Sequence, residues 1–253
     1  MATQIQFLGY ASFEIVTEGG LRIIIDPYLD ASEVSPVRSA DLDKADLVLV
    51  SHGAWDHIGD SAKSASRFGC PVVCGPEVKE ALVSQGVPAE QVLSVAWGLG
   101  VDFRGLRIRP VESRHTSRAL LADGRWATGF PMGFIVYADD QTRIYHMGDT
   151  ALFGDLWLIG EVYRPNVVLV HVSLPDSAKA GDARVVTGEM TPYEAALACQ
   201  WLQAEYAIPC HFLDPDCDDV RAFLGLLETM AVDGKPKTKA IVLRPGEWWM
   251  PND

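Results

Sequence analysis

The chain has 253 residues, enough for one large α/β domain, and its 34 Asp and Glu against 21 Lys and Arg give a net charge of −13. That field repels polyanions, and no cluster of Lys and Arg overrides it, which argues against nucleic acid as a partner. No apolar run reaches the roughly 18–20 residues a membrane-spanning helix needs, and five irregularly spaced cysteines form no disulfide framework.

The opening residues MATQIQFLGYASFEIV alternate apolar and polar. They lack the basic-then-apolar order of a signal peptide, so they read as a first strand in a cytoplasmic protein. Strands are expected at 4–7 and 12–16, then a turn at 17–20 and a buried strand at 21–25 that ends on Asp26-Pro27. An acidic loop follows at 28–44. Residues 47–50, LVLV, have the continuous apolar character of a central strand and lead straight into SHGAWDHIGD. Asp60 is placed to cap a helix running to Phe68. Residues 71–74 read as a strand, and Pro76 opens a helix to about Gln85. Further strands are expected at 91–95, 106–112, 132–138 and 142–146, and 167–170 is another apolar run entering a histidine, His171. Thr191, Pro192 and Glu194 spell a capping box with proline in the first helical position, opening a helix to about Glu205. A strand at 207–210 enters His211, a helix covers 218–230, and a last strand covers 240–243. Two similarly ordered halves imply a sandwich of two mixed sheets with helices outside, one domain over 1–253.

All six histidines (52, 57, 115, 146, 171, 211) end a strand-like segment or lie in a loop after one. Polar loops at the ends of buried strands are where α/β proteins usually carry their chemistry. Asp56 adjoins His57, and Asp149 follows His146 in YHMGDT. Imidazole with carboxylate suits zinc, manganese or iron, and no paired-cysteine signature points to a structural zinc finger.

SHGAWDHIGD resembles the H-x-H-x-D-H loop of the metallo-β-lactamase superfamily. FLGYASFEI with IIIDPYLD, ESRHTS, IYHMGDTALFGDLWLIGE and GEMTPYEAALACQWLQAEYAIPCHF continue the likeness along nearly the whole chain. They are similar to the branch of L-ascorbate-6-phosphate lactonase and its metal-dependent hydrolase relatives. The resemblance implies a four-layer αββα fold with one or two divalent metals, zinc or manganese first and iron next. One metal position would use Asp56, His57, Asp149 and His211. The other would use His52, His115 and Asp149, but Ala54 stands where the family has its second histidine. His171, where relatives carry proline, is a candidate to repair that loss. Tyr10 replaces a histidine of the relatives' G-H-A-S.

Further roles follow. Asp56 or Asp149 would orient the water or move a proton. Trp55 either covers the pocket or packs beneath the loop. Arg114 and Arg118 flank His115, where one could bind a substrate carboxylate or phosphate. Asp26 and His146 would orient ligand histidines from behind. The expected activity is hydrolysis of a small-molecule ester, a lactone first. A phosphodiesterase on the same site and a catalytically degenerate binding protein are the alternatives. A small molecule is the expected partner, with no membrane; a homo-oligomer is open to it.

Overall fold

The computed structural model describes residues 2–173, 179–180, 183–184, 189–230 and 238–251. Alternation at period two sends Ile23, Ile25, Leu47 and Leu49 to one core and Ile24 and Val48 to another, so these strands are buried on both faces. They belong to a seven-stranded sheet in the order Trp248–Trp249, Gln4–Gly9, Ser12–Val16, Arg22–Ile25, Leu47–Leu49, Val72–Cys74, Val92–Ser94. Its first four strands run antiparallel and its last four parallel. A second seven-stranded sheet runs Lys239–Ala240, Tyr206–Cys210, Val167–His171, Arg143–His146, Met132–Tyr137, Leu106–Glu112, Val101–Phe103, its first four strands parallel and its last four antiparallel.

Phe7, Phe13 and Ile15 of the first sheet share one core with Phe134, Tyr145 and Leu169 of the second. Each such side chain contributes about 1.5–3 kcal/mol by leaving water. Helices Ser61–Phe68 and Pro76–Ser84 cover the outside of the first sheet through Ala65, Val78 and Leu82. Helices Asp155–Tyr163, Pro192–Leu202 and Asp218–Thr229 cover the second through Leu156, Cys199 and Phe223. The layers are therefore helix, sheet, sheet, helix. Among the described residues no helix is long and apolar enough to cross a membrane.

The capping box at Thr191 is present, with Glu194 N–H donating to Thr191 Oγ1 at 3.3 Å and Thr191 N–H to Glu194 Oε2 at 2.8 Å. Three local expectations change. Asp60 does not cap its helix, because its φ of −92° and ψ of 21° aim the carboxylate elsewhere. It accepts instead from Leu29 N–H and Asp30 N–H and binds Lys63, tying the 28–30 loop to the helix. The strand expected at 240–243 shrinks to Lys239–Ala240, and Trp248–Trp249 instead borders the first sheet against Ile5 and Gln6. Helix Asp155–Tyr163 was hidden in the sequence because Trp157, Leu158 and Val162 keep apolar residues on its exposed side, blurring the helical stripe.

Both sheets present the carboxyl ends of their parallel strands to the same edge. Asp26 follows Ile25, His52 follows the strand ending at Leu49, Asp149 follows His146, and His211 follows Cys210. Open α/β sheets bind ligands at such ends. Asp26 (φ 48°), Tyr10 (φ 57°) and His211 (φ 66°) all hold left-handed backbone there, a strain that tends to concentrate at functional sites. Glycine is required at Gly148, where φ is +60° and a Cβ would lie 2.9 Å from Ser51 Cβ and 3.0 Å from Met132 O.

Candidate metal centre

Residues of the SHGAWDH loop enter the site on a one-turn helix, Trp55–Ile58, that follows the Leu47–Leu49 strand. A helical turn turns Asp56 and His57 inward together, both buried. Gly53 lets the loop lie against the next chain segment: a Cβ there would be 2.7 Å from the Arg118 carbonyl carbon. Its N–H donates to Ser117 Oγ at 3.0 Å, and that hydroxyl donates to the buried Glu77 carboxylate. Burial pushes the Glu77 carboxyl up, against the pull of its Ser117 hydrogen bond.

The ligand atoms converge. His57 Nε2 lies 3.2 Å from Asp149 Oδ2 and 4.0 Å from Asp56 Oδ2, and His211 Nε2 lies 3.5 and 3.6 Å from the same two oxygens. His52 Nε2 is 3.7 Å from Asp149 Oδ2, and the His115 ring stands edge-on to His52 at 5.3 Å. Four atoms about 2.0–2.2 Å from one tetrahedral cation would stand about 3.3–3.6 Å apart, which is close to this spacing.

The far sides of the His57 and His52 rings are fixed. Asp26, fully buried, accepts from His57 Nδ1 at 2.8 Å, from Ser51 N–H at 2.7 Å and from Ser51 Oγ at 2.6 Å. With its only proton given to Asp26, Ser51 Oγ accepts from His52 Nδ1 at 3.0 Å. Both imidazoles therefore carry hydrogen on Nδ1 and turn Nε2 inward. His146 stands behind this group, its Nε2 3.0 Å from Ala11 O and 3.8 Å from Asp26 Oδ2.

Three Nε2 atoms, those of His52, His57 and His211, are buried and make no hydrogen bond among the described residues, and neither does Asp149 Oδ1. A buried polar atom left so costs about 1–3 kcal/mol. Aimed at one point, such atoms fit a bound cation. The charges agree. Burial raises the Asp149 carboxyl, but His211, His57 and His52 outweigh it and hold it well below the usual carboxylate range. Burial lowers His57, but Asp149, Asp26 and Asp56 together lift it well above the usual imidazole value. A cation would displace that proton. Burial and neighbouring His57 push His52 down to about 3, leaving it neutral and ready to coordinate.

A profile of the β-lactamase superfamily domain matches residues 21–212. A UPF0173 metal-dependent hydrolase of Rubrobacter xylanophilus is 35% identical, covering 83% of this chain and 81% of its own. The one of Methanopyrus kandleri is 34% identical, covering 96% and 98%. The chain belongs to the metallo-β-lactamase superfamily, in its UPF0173 metal-dependent hydrolase family. Among solved structures, the protein is similar to Igni18, a metallo hydrolase of Ignicoccus hospitalis, with a TM-score of 0.76 at 26% identity over 100% of both chains.

In this UPF0173 family member several side chains differ from the sequence expectation. His171 does not repair the Ala54 position. Both its ring nitrogens face backbone, Nδ1 at 3.0 Å from Gly148 O and Nε2 at 3.0 Å from Thr150 O and 3.1 Å from Met190 N. Burial pushes it down to about 4, so it is a neutral strut between two loops. Nor do the guanidinium groups of Arg114 and Arg118 serve the pocket. Arg114 pairs with Glu112 at 3.2 Å and lies over Phe153, and Arg118 lies over Trp126 at 4.6 Å. Trp55 does not pack beneath the loop: it is 68% exposed and stands edge-on to Tyr28 at 5.1 Å. Tyr10 covers the His211 ring at 4.3 Å, and its carbonyl accepts His211 N–H at 2.7 Å.

Sequence reasoning missed Glu189. Its buried carboxylate lies with one ligand atom each of His115 and Asp149 within 4.8 Å. The one signal was its place, two residues ahead of the Thr191 cap, at the mouth of a helix.

Asp26→Asn tests the outer support. Asparagine tolerates the positive φ and keeps the side-chain shape, but removes the charge behind His57. Metal affinity should fall about 10–100-fold in a competition titration against a chromophoric chelator. Unchanged affinity would show that Asp26 does not tune the centre.

Proposed function

We propose that this protein hydrolyses a small-molecule ester, a lactone first, with a divalent metal held by Asp56, His57, Asp149 and His211. The observation that carries this reading is the convergence on the Asp149 carboxylate of buried Nε2 atoms that make no hydrogen bond among the described residues. An abandoned site would more readily have filled those positions with apolar packing or hydrogen bonds. When bound, the metal supplies a water acidic enough to ionise near neutral pH and an electrophile for the substrate carbonyl.

The chain does the rest. Burial raises the Asp56 carboxyl, but His57 and His211 draw it below its ordinary value, so it is an anion able to orient a water and take its proton. Asp149, equally ionised, is the second acceptor. The Tyr10 phenol is driven far up by burial and by Asp56, Asp149 and Glu189, so it stays protonated and able to donate to an oxygen of the substrate. Tyr10, Tyr28 and Trp55 form an arc, edge-on at 6.1 and 5.1 Å, that gives the entrance an apolar wall suited to a small ring. The net charge of −13 disfavours nucleic acid and supports a small substrate over a polyanion. Five free cysteines fit a reducing, cytoplasmic setting.

Metal-loaded protein should be assayed on lactones, phosphodiesters and β-lactams, with and without chelator. Chelator-sensitive lactone opening is the expected outcome. Phosphodiester cleavage alone would overturn the ester reading, and failure to retain any metal would overturn the hydrolase reading as a whole.

A further inference from the structure

Position 54 leaves a question of composition. The family likeness expects an imidazole there, and a methyl group donates nothing. Ala54 has an extended backbone (φ −65°, ψ 147°) and sits between Gly53, wedged against the Arg118 backbone, and the one-turn helix that aims Asp56 and His57. The loop is therefore held, and another segment must bring any replacement donor. His171 is engaged with backbone on both nitrogens.

We infer that Glu189 supplies the missing donor, so that a second cation is held by His52, His115, Asp149 and Glu189. Glu189 Oε1 lies 3.9 Å from His115 Nε2, and ligand atoms of Glu189, His115 and Asp149 fall within 4.8 Å of one another. Two further atoms point to a ligand between them. Asp149 turns Oδ2 toward His57 and His211 and lies with it 3.7 Å from His52 Nε2, while its other oxygen, Oδ1, is buried and makes no hydrogen bond among the described residues. His52 Nε2, fully buried, is in the same condition. A carboxylate with one oxygen set among imidazoles and its second oxygen buried without a hydrogen bond could bridge two metals.

Glu189 is also held for this task. Met190 N–H, the next residue along, reaches His171 Nε2 at 3.1 Å, and the same ring faces Gly148 O, the residue before Asp149. His171 thus joins the two loops that carry the two carboxylates. The capping box at Thr191 fixes the following helix. Three carboxylates, Asp56, Asp149 and Glu189, come together here, and the ion-pair contacts of Asp56 and Asp149 among the described residues are all with histidine. Such crowding of buried anions is stabilised by cations.

Exchange of a neutral nitrogen for an anionic oxygen changes the selectivity of the position. Two imidazoles with two carboxylates form a harder donor set than three imidazoles with one, and the balance moves from zinc toward manganese or ferrous iron.

The inference rests on the metal-centre reading above, and metal counting keeps the two separable. Full-length protein should be loaded in defined medium with Mn(II) or Zn(II), desalted and analysed for metal, with circular dichroism to confirm folding. Wild type should hold about two ions per chain, and Glu189→Ala and Glu189→Gln about one, the weaker ion losing at least about 100-fold in affinity. Adding Ala54→His to Glu189→Ala should restore the second ion and shift its preference from manganese to zinc. Wild type with a single ion, or Glu189→Ala that keeps two with unchanged affinity, would overturn the assignment of Glu189 and leave the hydrolase reading standing. A chain that retains no metal at all would overturn both.

Discussion

Asp149→Ala should empty the centre and end hydrolysis. Its carboxylate touches His57 at 3.2 Å, His211 at 3.5 Å and His52 at 3.7 Å, so one substitution removes the anion that every inward-facing imidazole shares. Loss of a single preorganised polar group in an active site commonly costs about 10²–10³ in turnover. Loss of a shared ligand should cost at least that, with metal content falling below detection after desalting. Asp149→Asn is the sharper variant. It keeps the shape, and by removing the charge it should behave like alanine if the centre depends on an anionic bridge. Residual activity above about a tenth of wild type with full metal content would place the chemistry elsewhere.

The second large effect is expected at Gly59, outside the ligand set. This glycine ends the one-turn helix of Asp56 and His57 with φ 34° and ψ −120°, a conformation closed to other residues, and its N–H bonds Trp55 O at 3.2 Å. A Cβ there would lie 2.3 Å from Pro27 O, inside the loop that carries Asp26. Gly59→Ala must therefore move either the ligand helix or the Asp26 strand end. The strain alone is about 1–3 kcal/mol before the backbone clash is added. We expect a loss of at least about 3 kcal/mol, or a melting temperature lower by about 6–12 °C, together with weaker metal binding. Gly69→Ala is the control. It shares a positive φ of 61°, but a Cβ would meet nothing within 4 Å, so the cost should be only about 1–2 kcal/mol with metal binding intact. Equal effects at the two glycines would show that dihedral strain, and not the contact with Pro27, decides the outcome.

The two glycines were equally plain in the sequence, and only the fold distinguishes them. The same division runs through the rest of the molecule. Alternation in QIQFLG and SFEIV, the apolar runs at 47–50 and 167–170 and the capping box at Thr191 are local patterns. They arise from the pitch of a strand or the orphan amides of a helix start, and neighbours along the chain suffice to express them. Helix Asp155–Tyr163 escaped because exposed Trp157, Leu158 and Val162 erase the contrast between its faces.

At the site, the spacing of histidines and aspartate in the 51–60 loop marked Asp56 and His57 as candidates, and the likeness to the H-x-H-x-D-H loop implied that they are ligands. The same likeness carried the vacancy at Ala54, where the family loop has a histidine. It did not show that Arg114 and Arg118 lie over Phe153 and Trp126, that Trp55 stands exposed beside Tyr28, or that His171 holds backbone. Side-chain direction depends on which rotamers the neighbours permit, and those neighbours come from other sheets and loops. Glu189 is the clearest case. Nothing near it in the chain marks it as a partner of His115; the two meet because the segment after strand Leu106–Glu112 and the segment before helix Pro192–Leu202 come together, where His171 ties Met190 to Gly148. Local chemistry could list the donors, while the choice of which donors face one point belongs to long-range packing.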